Sequence, residues 1–280
     1  MLNNKNRILF ILVPLLLTGC LLDNRDHSAC APDAFSIAGA DPLSGVGAFD
    51  GLQEAHDHLS DDGDVIIEGD IVVNQQYGSE DLVSPFSAVT RTRIWPEGIV
   101  YYKISDDLGR TSRVYHAIET WEELTNGMVQ FVERTTETNY IEVINGNGCY
   151  SSVGMVGGRQ TLSLDDGCGH GTAIHEFGHA LGLWHEQSRR DRDEYVKINW
   201  CNIEDGKQHN FRKETVDRVE DVGPYDYGSI MHYVRSSFTK NIYATIQSRT
   251  QKSVPVFPKS SPSQGDVDGV MALYADEVLQ

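Results

Sequence analysis

The chain has 280 residues, 40% of them hydrophobic, with 12 Tyr, 9 Phe and 4 Trp, enough to pack one large domain or two small ones. Its 41 acidic and 23 basic residues leave a formal net charge of −18 at pH 7. That balance excludes nucleic acid and anionic membrane surfaces as partners, because both need a basic face.

Residues 1–20 form a targeting segment: Lys5 and Arg7 start it, and Ile8 to Leu17 is an apolar run too short to span a bilayer. It ends Leu17-Thr18-Gly19-Cys20, which resembles the lipobox of bacterial lipoproteins. The resemblance implies lipidation of Cys20 and a membrane contact through that anchor alone; an ordinary cleaved signal is the alternative. An exported chain can keep disulfides. Cys149 and Cys168 close a short loop and are expected to pair, while Cys30 and Cys201 can pair or stay free.

Residues 21–86 read as a tether and prosegment. The first part, to about residue 60, is polar and small, with little expected structure. Then Asp64 to Val73 places two β-branched runs around Glu68-Gly69-Asp70, the pattern of a hairpin turning at Gly69. Polar residues 74–93 end in Thr90-Arg91-Thr92-Arg93, an exposed basic stretch of the kind that processing proteases cut.

From residue 87 to 280 the elements follow in quick order. Ile99 to Ile104 predicts a strand, and Ser112 to Leu124 a helix with Val114, Ile118, Trp121 and Leu124 on one face. Met128 to Val132 and Tyr140 to Ile144 predict strands, and a helix bearing His175 follows. This order describes an α+β lobe above a cleft. The charge run Arg189 to Glu194 predicts a solvated face, or a brace for the turn carrying His185. Val254 to Pro262 is a loop and Val267 to Tyr274 a closing helix.

The densest chemistry lies in His175-Glu176-Phe177-Gly178-His179-Ala180-Leu181-Gly182-Leu183-Trp184-His185-Glu186. Residues four apart share a helix face, so His175 and His179 can grip one ion with Glu176 beside it. His185 does not fit a continuing helix. Gly182 can take positive φ, end the helix and swing His185 back as third ligand. Three protein ligands and an open position describe a catalytic Zn2+, whose water has a pKa near 7. Glu176 is then the general base and, later, the acid.

This HExxHxxGxxH stretch resembles the metzincins, and Glu186 after the third His resembles their astacin branch. Tyr225 to Tyr233 resembles the astacin Met-turn, Gly157 to Leu164 its GGxQxxSL segment, and Trp95 to Val100 its first strand. The resemblance implies a metzincin fold: an N-terminal lobe of twisted mixed sheet plus two helices, and an irregular C-terminal lobe with Met-turn and closing helix. It implies a zinc-dependent endopeptidase acting on proteins or peptides, one Zn2+ per chain, made as a proenzyme, monomeric and activated by another protease.

Residue by residue, Met231 would floor the metal site. Tyr233 would ligate zinc at rest and hydrogen-bond the oxyanion during catalysis. Glu186 would meet the new N-terminus after a cut between about Ser84 and Thr90. Ile67-Glu68-Gly69-Asp70 is similar to the family's F-x-G-D motif, with Ile for Phe, so Asp70 would be the inhibitory ligand; Cys30 as a thiolate lock is the runner-up. Cys149, Tyr150 and Ser151 would lie on the substrate-binding edge strand, and Lys259 would read an acidic residue after the scissile bond. The family's second disulfide is absent. A catalytically silent adhesin on the same fold is the competing function.

Overall fold

The computed structural model describes residues 58–73, 93–213 and 221–278, so expectations for Cys20, Cys30 and the 84–90 cut lie outside the described residues. One eight-stranded mixed sheet dominates, in the order β1-β2-β3-β7-β8-β6-β4-β5. Five of these strands come from the body of the chain: β4 (Ile99–Ile104), β5 (Gln130–Glu133), β6 (Tyr140–Ile144), β7 (Cys149–Ser152) and β8 (Arg159–Leu164). The other three, β1 (His58–Leu59), β2 (Val65–Ile67) and β3 (Ile71–Val73), come from the segment upstream and extend the sheet beyond β7.

Helices α1 (Ser112–Leu124) and α2 (His170–Ala180) pack on one another and on this sheet. The core between them holds Val114, Ala117, Ile118, Trp121, Ile174 and Phe177, all buried. Leu124, expected on this face, is 41% exposed; Thr125, 1% exposed, is the inward residue at that end of the helix. Three aromatic side chains tie up carbonyls of α2 and its end: Trp121 Nε1 donates to Ile174 O at 2.9 Å, Trp95 Nε1 to Ala180 O at 2.9 Å, and Tyr274 OH to Leu181 O at 3.1 Å. Arg113, fully buried on α1, donates to Cys168 O at 2.7 Å and Leu164 O at 2.8 Å, clamping the turn into α2. The Cys149–Cys168 disulfide ties β7 to the same turn. Cys201 is also disulfide-bonded, with its partner outside the described residues.

The expected strand at 128–132 begins and ends later, at Gln130–Glu133, because residues 125–129 complete the turn leaving α1. Strand β8 was not expected as such. Its pattern mixes Gln160, Thr161 and Ser163 with Leu162 and Leu164, yet all five are buried, the polar ones through hydrogen bonds such as Gln160 Nε2 to Gly154 O at 2.9 Å.

After His185 regular structure is sparse. A two-stranded ribbon, β9 (Val196–Ile198) with β10 (Ile246–Ser248), and several short 3-10 turns surround a small second core of Ile203, Phe211, Tyr225, Tyr227 and Tyr233. Helix α3 (Gln264–Val278) closes the chain, longer than the expected 267–274. The charge run is both: Arg190, Asp193 and Glu194 face solvent, while Arg189 and Arg192 form a brace. Arg189 and Arg192 are 9% and 3% exposed, and Arg192 Nη1 donates to Gln187 O at 2.8 Å.

Candidate metal centre

Helix α2 carries His175 and His179 one turn apart, and their rings meet edge to face with centroids 4.6 Å apart. The helix stops at Ala180. Gly182 follows with φ +109°, a conformation that favours glycine. The chain then reverses, with Leu183 N donating to Gly178 O at 3.0 Å, and His185 returns to face the helix. Met231 lies beneath, its sulfur 3.1 Å from where a Cβ on Gly178 would sit. Glycine at 178 therefore lets the Met-turn approach the helix closely.

Each imidazole has one nitrogen engaged. His175 Nδ1 pairs with Ile230 O at 2.9 Å, His179 Nδ1 with Leu183 O at 2.8 Å and His185 Nδ1 with a Glu68 carboxylate oxygen at 2.7 Å. These acceptors place the hydrogen on Nδ1 and leave the Nε2 lone pair for the other side. All three Nε2 atoms converge on one carboxylate, that of Asp70, at 3.2, 3.6 and 3.2 Å. The four ligand atoms lie within 4.8 Å of one another. His179 Nε2, His185 Nε2 and Asp70 Oδ1 are buried without a hydrogen-bond partner. Such atoms around one point are what a bound cation satisfies. Burial lowers His179 to about 4, keeping its ring in the neutral form a metal ligand needs.

Glu176, between the two helical histidines, is 1% exposed with Oε2 unpartnered. Burial first, and the Asp70 charge second, hold its carboxyl well above the ordinary carboxylate range. Tyr233 stands against His185 with ring centroids 4.7 Å apart, and its hydroxyl donates to the main-chain carbonyl of Glu68.

The segment that delivers Asp70 is a hairpin. Ile67 pairs with Ile71 across it, Asp70 N donates to Ile67 O at 3.3 Å, and Glu68 and Gly69 both take positive φ, +51° and +87°. These are the φ signs of a primed hairpin turn. The stretch is thus the hairpin expected to turn at Gly69, and that turn sets Asp70 against the three imidazoles. Gly69 also packs so closely on Phe238 that a Cβ would lie 2.9 Å from its ring. Strand β3 runs parallel to β7, Ile71 opposite Ser151 and Val72 opposite Ser152, with Ser151 N donating to Asp70 O at 2.9 Å. Farther out, Asp61 accepts from Tyr150 OH at 2.7 Å, and Asp62 accepts from Arg159 at 2.9 Å and from Thr161 Oγ1.

Comparison with known proteins agrees with this geometry. The family model for astacin, a family of peptidases, matches residues 87–275. The chain belongs to the astacin family. Zinc metalloproteinase nas-13 of Caenorhabditis elegans is 38% identical over 225 residues, 74% of this chain and 49% of that protein. Astacin-like metalloprotease toxin 1 of Loxosceles intermedia is 38% identical over 185 residues, 64% of this chain and 68% of the toxin. Among solved structures, high choriolytic enzyme 1, a hatching enzyme zinc-protease from Oryzias latipes, superposes with a TM-score of 0.61 at 35% identity, covering 66% of this chain and 95% of that one. The chain thus spans about half the length of nas-13 and 27% of the length of nas-15, another Caenorhabditis relative.

The astacin domain brings together His175, Glu176, His179, His185, Met231 and Tyr233, and the upstream hairpin sets Asp70 against the three imidazoles. Lys259 is exposed, and its main-chain oxygen lies against Gly171 in the first turn of α2. Glu186 turns away from the metal centre, accepting from Asp226 N at 2.6 Å. Sequence reasoning gave no role to Glu68, which is 1% exposed. A carboxylate beside the motif Asp was visible, but its partners His185 and Ser188 are 117 and 120 residues away and left no local signal.

Proposed function

We propose that this chain is a zinc endopeptidase made as a latent proenzyme, with residues 58–73 belonging to its prosegment. The observation that carries the reading is the convergence of three imidazole Nε2 atoms on the Asp70 carboxylate. His175, His179 and His185 would hold Zn2+, and Asp70 would be a fourth donor until the prosegment leaves. When bound, zinc supplies Lewis acidity, polarising a peptide carbonyl and acidifying water. Glu176, buried and raised in pKa, takes a proton from that water and returns it to the leaving amine. Tyr233 already donates to a peptide carbonyl in the cleft, that of Glu68, and would do the same for the scissile one.

Two further features support latency. The prosegment occupies the edge of β7 at Ser151 and Ser152, where an extended substrate would add. Glu186, raised to about 8 by burial that Arg189 only partly offsets, lines a cavity with Asp221, Asp226 and Asp266. An acidic cavity holding a buried carboxylate suits the amine of a new N-terminus, released by a cut between about Ser84 and Thr90. Lys259 is exposed, and its charge is felt at His232 beside the Met-turn, which supports a role in meeting an acidic substrate side chain. The Cys149–Cys168 disulfide fits an exported chain, and the lipobox-like end at Cys20 fits an envelope lipoprotein acting as a monomer.

The test is activation of the full chain by limited proteolysis, with cleavage of a peptide library before and after. Activity is expected only after the cut, abolished by chelation, and lowered about 10²–10⁴-fold by Glu176→Ala. Equal activity of the uncut chain would refute latency, and full activity of Glu176→Ala would refute the catalytic assignment.

A further inference from the structure

We infer that Glu68, resting on the proenzyme reading above, is a second functional group of the prosegment: it orients His185 from behind and so makes the uncut chain the form that holds zinc most tightly.

The three histidines differ in who positions them. His175 and His179 rest their Nδ1 atoms on main-chain carbonyls of the domain itself, Ile230 O and Leu183 O. Those acceptors stay when the prosegment goes. His185 rests on Glu68, at 2.7 Å, and Glu68 belongs to the prosegment. It is also the ligand on an irregular loop rather than on α2, so it needs an orienting partner most.

Glu68 sits in a site built for one residue. Its carboxylate accepts from Ser188 Oγ at 3.0 and 3.1 Å as well as from His185. Its N–H donates to Asn210 Oδ1 at 3.0 Å, and its carbonyl accepts from Tyr233 OH. Every partner comes from the astacin domain, and the side chain is almost fully excluded from water. Its φ of +51° is one that non-glycine residues rarely adopt, which marks the conformation as one the contacts impose. Asp70, two residues on, meets the Nε2 side of the same ring at 3.2 Å. The prosegment therefore grips His185 on both nitrogens, one carboxylate as a fellow metal donor and one as the group that sets the ring's tautomer and tilt. Groups behind a ligand of this kind change metal affinity by about 10–100-fold when removed.

The experiment titrates zinc-loaded full chain with a competing chelator and reads released zinc with a zinc-responsive dye, so peptidase activity is not involved. Glu68→Ala is expected to release zinc at a chelator concentration about tenfold lower than wild type, and Glu68→Gln to shift the same way but less. Folding is checked by melting the zinc-free proteins; if the alanine variant does not fold, Glu68→Gln carries the test. The decisive arm is the Asp70→Ala background. If Glu68 acts on His185, adding Glu68→Ala lowers retention further. If Glu68 serves only to dock the hairpin that presents Asp70, the added substitution changes nothing, and the inference is overturned. Equal retention by wild type, Glu68→Ala and Glu68→Gln also overturns it. Failure of the wild-type chain to take up zinc would instead defeat the peptidase reading itself.

Discussion

The two walls of the metal centre are built by different physics. His175 and His179 stand on α2, which is held by burial: Trp121, Phe177 and Ile174 fill the space around it and a sheet lies beneath. His185, Met231 and Tyr233 stand on loops held by a few polar side chains, each making several bonds. Asp266 on α3 is the chief of these. It accepts from Ser229 Oγ at 2.6 Å, Ile230 N at 2.8 Å and Ser263 N at 2.8 Å, pinning the Met-turn. Gln187 accepts from Tyr233 N at 2.9 Å. The helical wall owes its geometry to a repeated pattern, and the loop wall to individual residues. Substitutions should therefore damage the two walls differently.

The largest effect on stability is expected at Trp121→Ala. It opens a cavity behind α2 and strips the Ile174 carbonyl of its donor, so chemical denaturation should show a loss of about 3–5 kcal/mol. A loss under about 1 kcal/mol would mean that burial does not hold this wall. Asp266→Ala leaves several buried donors unpaired, and a loss of about 1–3 kcal/mol is expected by the same measurement. It should nevertheless weaken zinc retention more than Trp121→Ala does, because it frees the turn whose Ile230 carbonyl aims His175; the reverse order would break the comparison. Met231→Leu keeps the volume beneath Gly178 and should cost less than about 1.5 kcal/mol in a thermal melt. A larger cost would show that the sulfur itself matters.

The smallest effect concerns the outer anchor of the β2–β3 hairpin. The Thr161 hydrogen bond and the Arg159 charge, against the opposing effect of burial, hold Asp62 below its ordinary value of 3.8. A carboxyl lowered on docking stabilises the docked form above pH 3.8, and the contribution fades as pH falls through its lowered value. Asp62→Asn should therefore speed proteolytic removal of the hairpin at about pH 6, by an amount that shrinks as pH falls below 3.8.

The helical wall was legible in the sequence because periodicity reports it. The span of α1 was read residue for residue, and the spacing of His175, His179 and His185 implied both the ligand face and the break at Gly182. The loop wall was legible only where a motif stood in for physics, at Glu186, Met231 and Tyr233. Its braces were legible only as one of two readings of a charge run. Arg189 and Arg192 look like surface charges until Val222 O, Gly223 O and Gln187 O are seen to receive them. Glu68 was hidden for the same reason. Its contacts join residues more than a hundred positions apart, and no local pattern encodes them. Strand β8 was missed because polar residues in a buried strand break the alternation that identifies one.

Strand β3 has one more effect. Sheets with an unpaired border recruit other chains along it, and soluble proteins blunt such borders with short strands or charges. At the far side of the sheet, β5 does this with exposed Gln130 and Glu133. At the near side, β7 carries Tyr150, Ser151 and Ser152, without a charge in the strand. Capping by the hairpin means that a newly folding molecule never presents that border to its neighbours. A cut that removed the hairpin would expose it on a molecule already folded, where only four residues are left to pair.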